Sequence, residues 1–162
     1  MNGSTENRAH GASEKPGRRE TTLNLPTSRK MLPLVERILG DILSAQKSLE
    51  QLLPQQNQLE RHRRELSWPE RSRRYRLQDE IAGTEKHLQD ALAELATLGL
   101  QLLDGEIGRV GFPTIVNGRR AFFSWQPGDD GIQFWQFPEE STRRPVPATW
   151  NKSAEPGLAK KN

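Results

Sequence analysis

The 162-residue chain contains no cysteine. That excludes disulfides, cysteine-ligated zinc and thiol catalysis, and it fits a reducing, cytoplasmic setting. There is no run of about eighteen apolar residues, so nothing in the sequence reads as a membrane-spanning helix. The first twenty residues have no apolar signal core. Hydrophobic residues are scarce, at 33%, against about 45–50% for an ordinary globular chain. The core must therefore be small and the remainder solvated. Charge of one sign is also lacking: 24 basic residues face 21 acidic ones, for a net charge of +3. Any nucleic-acid reading has to rest on where the basic residues cluster, since the total is too small to argue from.

What is present is mostly helical periodicity. Residues 1–21 are polar and read as a disordered tail, and residues 148–162 read as a flexible C-terminal tail apart from Trp150, leaving a single domain over 22–147. A helix is expected over 25–66. Asn24 is a suitable N-cap and Pro26 is tolerated in the first turn. Leu32, Val35, Ile38, Ile42, Ala45, Leu49 and Leu52 then recur at steps of three and four. Pro33 and Pro54 are expected to kink it. Ser67-Trp68-Pro69-Glu70 has the form of a capping box, with Glu70 placed to reach back to the Ser67 N–H. It opens a second helix over 68–98, with Leu77, Ile81, Thr84, Leu88, Ala91, Leu95 and Leu98 in one seam, ended by Gly99.

Two helices joined by so short a turn lie antiparallel. Counting outward from Ser67 places Leu59 near Tyr75, Leu52 near Ile81, Ile42 near Leu92 and Val35 near Leu98. The second helix alone is on the order of 45 Å long at the usual rise per residue. The apolar stripe is wide at the base, where Met31, Leu34, Leu39, Leu43, Leu92, Leu100, Leu102 and Leu103 add to it. Towards the tip only the narrow seam remains. A wide stripe needs a third layer. Strands at about 109–116, 119–125 and 131–137 supply one, with Asn117-Gly118 as a two-residue hairpin turn. The expected fold is α+β and mainly helical: a long, coiled-coil-like antiparallel two-helix hairpin with a small three-stranded antiparallel sheet at its base.

Several of these residues also resemble a known family. Leu32–Val35 (Leu-Pro-Leu-Val), Gly108–Pro113 (Gly-Arg-Val-Gly-Phe-Pro), Asn117–Arg119, Phe123–Trp125 (Phe-Ser-Trp), Ile132–Trp135 (Ile-Gln-Phe-Trp) and Arg143–Pro145 (Arg-Arg-Pro) are similar to the bacterial domain of unknown function 2203 family. The likeness spans roughly 22–147, and the C-terminal third is its specific part. It implies a shared fold and a bacterial source, and no reaction. Members of that family carry a His after the second strand-borne Trp and a Glu in the preceding loop. Here those places are Gln136 and Asp129, so if the family has a site that uses an imidazole, this chain lacks it.

Two surfaces are candidates for function. The first is the hairpin tip, where Arg61, Arg63, Arg64, Arg71, Arg73, Arg74 and Arg76 are opposed locally only by Glu65 and Glu70. Arginine pairs with phosphate or carboxylate, and Trp68 and Tyr75 are suited to stacking on bases. The competing explanation is a solvated surface laced by i,i+4 pairs such as Arg61–Glu65 and Arg76–Glu80. The second is the sheet, where Trp125, Trp135, Phe122, Phe123, Phe134 and Phe137 are more aromatics than one face of a small meander needs, with Trp125, Phe134, Trp135 and Phe137 as the candidate interaction surface. An exposed remainder would make an interaction surface, and plain core packing is the competing explanation.

No chemistry is demanded. His10, His62 and His87 lie far apart, no set has metal-ligand spacing, and Asp129-Asp130 and Asp104/Glu106 sit in turns where such residues bond locally. No catalytic, cofactor-binding or metal-binding residue is assigned, and no small molecule is implied. The sequence favours a non-enzymatic protein-interaction module, docking a protein partner or self-associating through the helical base or aromatic sheet. The alternative is nucleic-acid or other anion binding by the arginine tip, and an enzyme with an unrecognised site comes third.

Overall fold

The computed structural model describes residues 21–152, and the expected tails at 1–20 and 153–162 lie outside them. Helix α1 runs Leu25–Arg61 and helix α2 runs Trp68–Thr97. The Asn24 side chain accepts from the Thr27 N–H at 2.8 Å, satisfying one of the donors that a helix start leaves free. Pro33 and Pro54 lie inside α1 without ending it. The helix stops five residues short of the expected end at 66. At His62 and Arg63 the backbone N–H groups turn to the carbonyls of Leu59 and Glu60, both at 3.3 Å. This tightening lets the chain reverse and tucks Leu66 into the tip as a buried plug. On the other side of the turn the Glu70 carboxylate accepts from the Ser67 N–H at 2.8 Å.

The helices are antiparallel, as the cross-links Arg74–Glu60 near the tip and Arg37–Glu94 near the base fix. Leu77, Ile81, Ala91 and Leu95 of α2 are buried along the seam, with Leu88 and Leu98 half-buried. Tyr75 and Leu92 are exposed, so they do not face Leu59 and Ile42 in the seam as the counting from Ser67 had them.

The sheet has five strands where three were expected: β1 Gln101–Asp104, β2 Arg109–Val116, β3 Arg119–Trp125, β4 Phe134–Gln136 and β5 Arg144–Pro145, in sequence order and antiparallel throughout. Leu102 and Leu103, read above as widening the helical stripe, stand on β1. The helix has ended by then, with Gly99 in the left-handed region at φ 79°, a conformation glycine adopts without strain. β4 is shorter than the expected 131–137, because only Phe134–Gln136 find partners on β3, at Phe122–Ser124. The Asn117-Gly118 turn has φ of 51° and 74°, both positive, as a type I′ hairpin requires.

Register sorts the sheet into two faces. Val110, Phe112 and Thr114 sit opposite Trp125, Phe123 and Ala121, and Phe123 sits opposite Trp135. This face packs on Val35, Ile38, Leu39, Ile42, Ala91 and Leu95 of the hairpin base, with Ile132 and Phe137 in the same cluster. The segment after β5 corrects a further expectation: a 3-10 helix at Ala148–Lys152 replaces the start of the flexible tail. Its Trp150 ring lies 5.5 Å from Trp135 and 6.3 Å from Phe123, and Asn151 accepts from Arg29 at 2.8 Å. The outer face carries Gly111, Phe122, Ser124, Phe134 and Gln136, by the same alternation.

Candidate functional site

The two candidate surfaces fare differently. On the sheet, Trp125, Trp135 and Phe137 are buried and Phe134 is half-buried. They do not form the exposed aromatic surface that was a candidate. Trp125 and Trp135 point into the core shared with the hairpin, Phe137 packs edge-on against Trp135 at 5.0 Å, and Trp150 covers them from the side.

Phe134 is taken by an arginine. The Arg143 guanidinium lies 4.2 Å from the Phe134 ring centre and is paired with Asp129. It donates through Nε to Ser124 Oγ at 2.9 Å and through Nη2 to the Ser124 carbonyl at 3.1 Å. Asp129 also accepts from the Gln126 N–H at 3.1 Å, and the Gln126 side chain accepts from Arg109 at 2.9 Å. The network pins the loop after β3 and the approach to β5 onto the outer face. The sequence reading quoted Arg143 and Ser124 within motifs but gave neither a role. An Arg and an Asp fourteen residues apart have no spacing rule to betray their pairing. Gln136 is buried and donates to the Glu140 carbonyl at 2.6 Å. Asp129 and Gln136 thus each serve local structure through different partners. Among the described residues no group of three or more His, Asp or Glu is placed to hold a metal ion.

The tip presents the opposite picture. Arg61, Arg63, Arg64, Arg71, Arg73 and Arg76 are exposed, and Arg74 is half-buried. Arg74 donates to Glu60 at 2.6 Å, Arg73 to Gln55 at 2.8 Å and Arg71 to the Leu66 carbonyl at 3.1 Å. Those three brace the turn. Among the described residues, the side chains of Arg61, Arg63, Arg64 and Arg76 form no hydrogen bond or ion pair, and the expected Arg61–Glu65 and Arg76–Glu80 pairs are not made. Trp68 is 78% exposed and Tyr75 62% exposed. Between Arg61 and Arg76 the net charge is +5, against +3 for the whole chain, so everything else sums to −2. His62, Trp68 and four unpartnered arginines thus share one end of a long helical arm.

Fold and site together define a helical hairpin whose base carries a closed five-stranded meander and whose tip carries open cationic and aromatic side chains. The chain belongs to the family described as uncharacterized conserved protein (DUF2203), whose model matches residues 22–146. No curated protein and no solved structure matches it. Among the described residues no helix is long and apolar enough to cross a membrane.

Proposed function

We propose that the protein binds single-stranded nucleic acid through the hairpin tip. The observation that carries this reading is the coincidence of four arginines without intramolecular partners and two largely exposed aromatic rings at one end of the arm. Arginines neutralise backbone phosphates, and aromatic faces stack on unpaired bases. Duplexes keep their bases stacked on each other, so Trp68 and Tyr75 favour a single strand. The start of α2 is not itself the phosphate site, because the Glu70 carboxylate already occupies the Ser67 N–H there. Docking of a protein partner or self-association through the helical base or the aromatic sheet is the alternative reading, and burial of Trp125, Trp135 and Phe137 leaves the sheet fewer free aromatics to support it.

The test is fluorescence anisotropy with a labelled thymidine oligomer over a salt series. Four phosphate contacts predict a slope of about −3 for log affinity against log salt. The variant Arg61→Ala/Arg63→Ala/Arg64→Ala/Arg76→Ala removes most of that slope without shifting the unfolding midpoint, and Trp68→Ala weakens binding at every salt concentration. Absent or salt-independent binding would end the proposal.

A further inference from the structure

Between the last turn of α1 and the first turns of α2 lies a groove of about 340 Å3. Leu59 and the buried Leu66 form its floor, and Gln58, His62, Glu65 and Arg73 stand around it. Its lining differs from the rest of the tip. The groove is lined by the carboxylates of Glu65 and Glu70, whereas Arg61, Arg63, Arg64 and Arg76 lie outside it. A phosphate is repelled from carboxylates, so the backbone of a bound strand belongs on the arginines and the groove is left for a base. An apolar floor of that size accepts one flat ring. The rim then reads its edge.

Resting on the reading of the tip as a single-strand site, we infer that this groove selects an unpaired guanine. The Glu65 carboxylate has no side-chain partner among the described residues. It offers two acceptor oxygens side by side. Guanine is the base that presents two adjacent donors, N1–H and the N2 amino group, to such a pair. Its O6 and N7 acceptors lie along the adjoining edge and suit a donor such as Arg73, which spends only Nη2 on Gln55 at 2.8 Å. Adenine and cytosine bring one amino group each, and thymine brings only N3–H. Edge recognition of a splayed-out base together with stacking is the usual route to single-strand specificity.

The experiment compares thymidine oligomers that carry one central guanine, adenine or cytosine with the all-thymidine oligomer, at fixed salt. The guanine oligomer is expected to bind about tenfold tighter than the all-thymidine one, the size of a good bidentate contact. Glu65→Gln, an exposed substitution outside the helices, is expected to abolish that preference while all-thymidine binding persists. Equal affinity for all four oligomers, or a guanine preference that survives Glu65→Gln, overturns the groove assignment and leaves the tip reading standing. Failure to bind any oligomer overturns both.

Discussion

Removing Asp129 is expected to destabilise the fold by about 3 kcal/mol, and a double-mutant cycle shows why. Arg143 and Asp129 are each 12% exposed at the side chain, so little solvent screens them. Taking away one partner of a buried pair leaves an uncompensated charge, typically about 3–5 kcal/mol. Asp129→Ala belongs at the lower end, because the guanidinium keeps Ser124 Oγ, the Ser124 carbonyl and the Phe134 face. Arg143→Met is expected to be of similar size, since Asp129 then keeps only the Gln126 N–H. Asp129→Ala/Arg143→Met leaves no orphaned charge, so its cost falls about 2–3 kcal/mol short of the sum of the two single changes. Urea unfolding followed by tryptophan fluorescence reads all three, because Trp125 and Trp135 are buried and become exposed on unfolding. Additivity within about 0.5 kcal/mol would refute the reasoning. It would mean that the pair is already solvated and that the outer face is not sealed by the loop.

Two further outcomes follow from single positions. A Cβ at Gly111 would stand 2.7 Å from the Phe122 ring and 2.9 Å from Leu103, so Gly111→Ala is expected to cost about 1–3 kcal/mol by overpacking; an unchanged urea midpoint would show that the outer face yields freely. At the turn, hydrogen bonds from the Ser67 backbone and side chain hold the Glu70 carboxyl below the usual glutamate range, with nearby His62 acting in the same direction. A depressed folded-state value means that its stabilisation is present above the unfolded-state value and is lost as pH falls through the folded one. Glu70→Gln should therefore flatten the acid limb of the stability profile, and an identical limb in wild type and variant would argue against the cap.

The long-range plan was legible because it rests on local signals. Helix starts came from Asn24 and Ser67, the antiparallel pairing from the shortness of the turn, and two strand boundaries from Asn117-Gly118. The misplaced parts lacked such signals. Leu102 and Leu103 are apolar in either a helix or a strand, and only the pairing of Gln101, Leu102 and Asp104 with Gly111, Val110 and Arg109 decides. Arg144–Pro145 is a two-residue strand, too short for any pattern to form. Counting alone puts Tyr75 opposite Leu59, but Tyr75 precedes the buried Leu77 by two residues, about 200° round the helix, and so faces solvent. For the site, the arginine cluster was visible as a run. Whether its members were paired was not, because Glu60, Glu65 and Glu80 are all within sequence reach and only the Glu60–Arg74 pair forms.

The two ends of the molecule satisfy opposite constraints. At the base, the rings of Trp125, Trp135 and Phe137 have packed neighbours, and Arg143, 12% exposed at its side chain, has a carboxylate, a hydroxyl, a carbonyl and a ring around it. A partner arriving at those rings or at Arg143 would have to displace contacts already made. At the tip, like charges stand within a Debye length of one another, roughly 8–10 Å at physiological salt, and their mutual repulsion opposes folding slightly. Two rings are held in water at 78% and 62% exposure. On the proposed reading, an anion bearing flat, unpaired bases would turn that repulsion into attraction and cover those rings. For such a ligand, the gain that the proposed reading calls on lies at the tip.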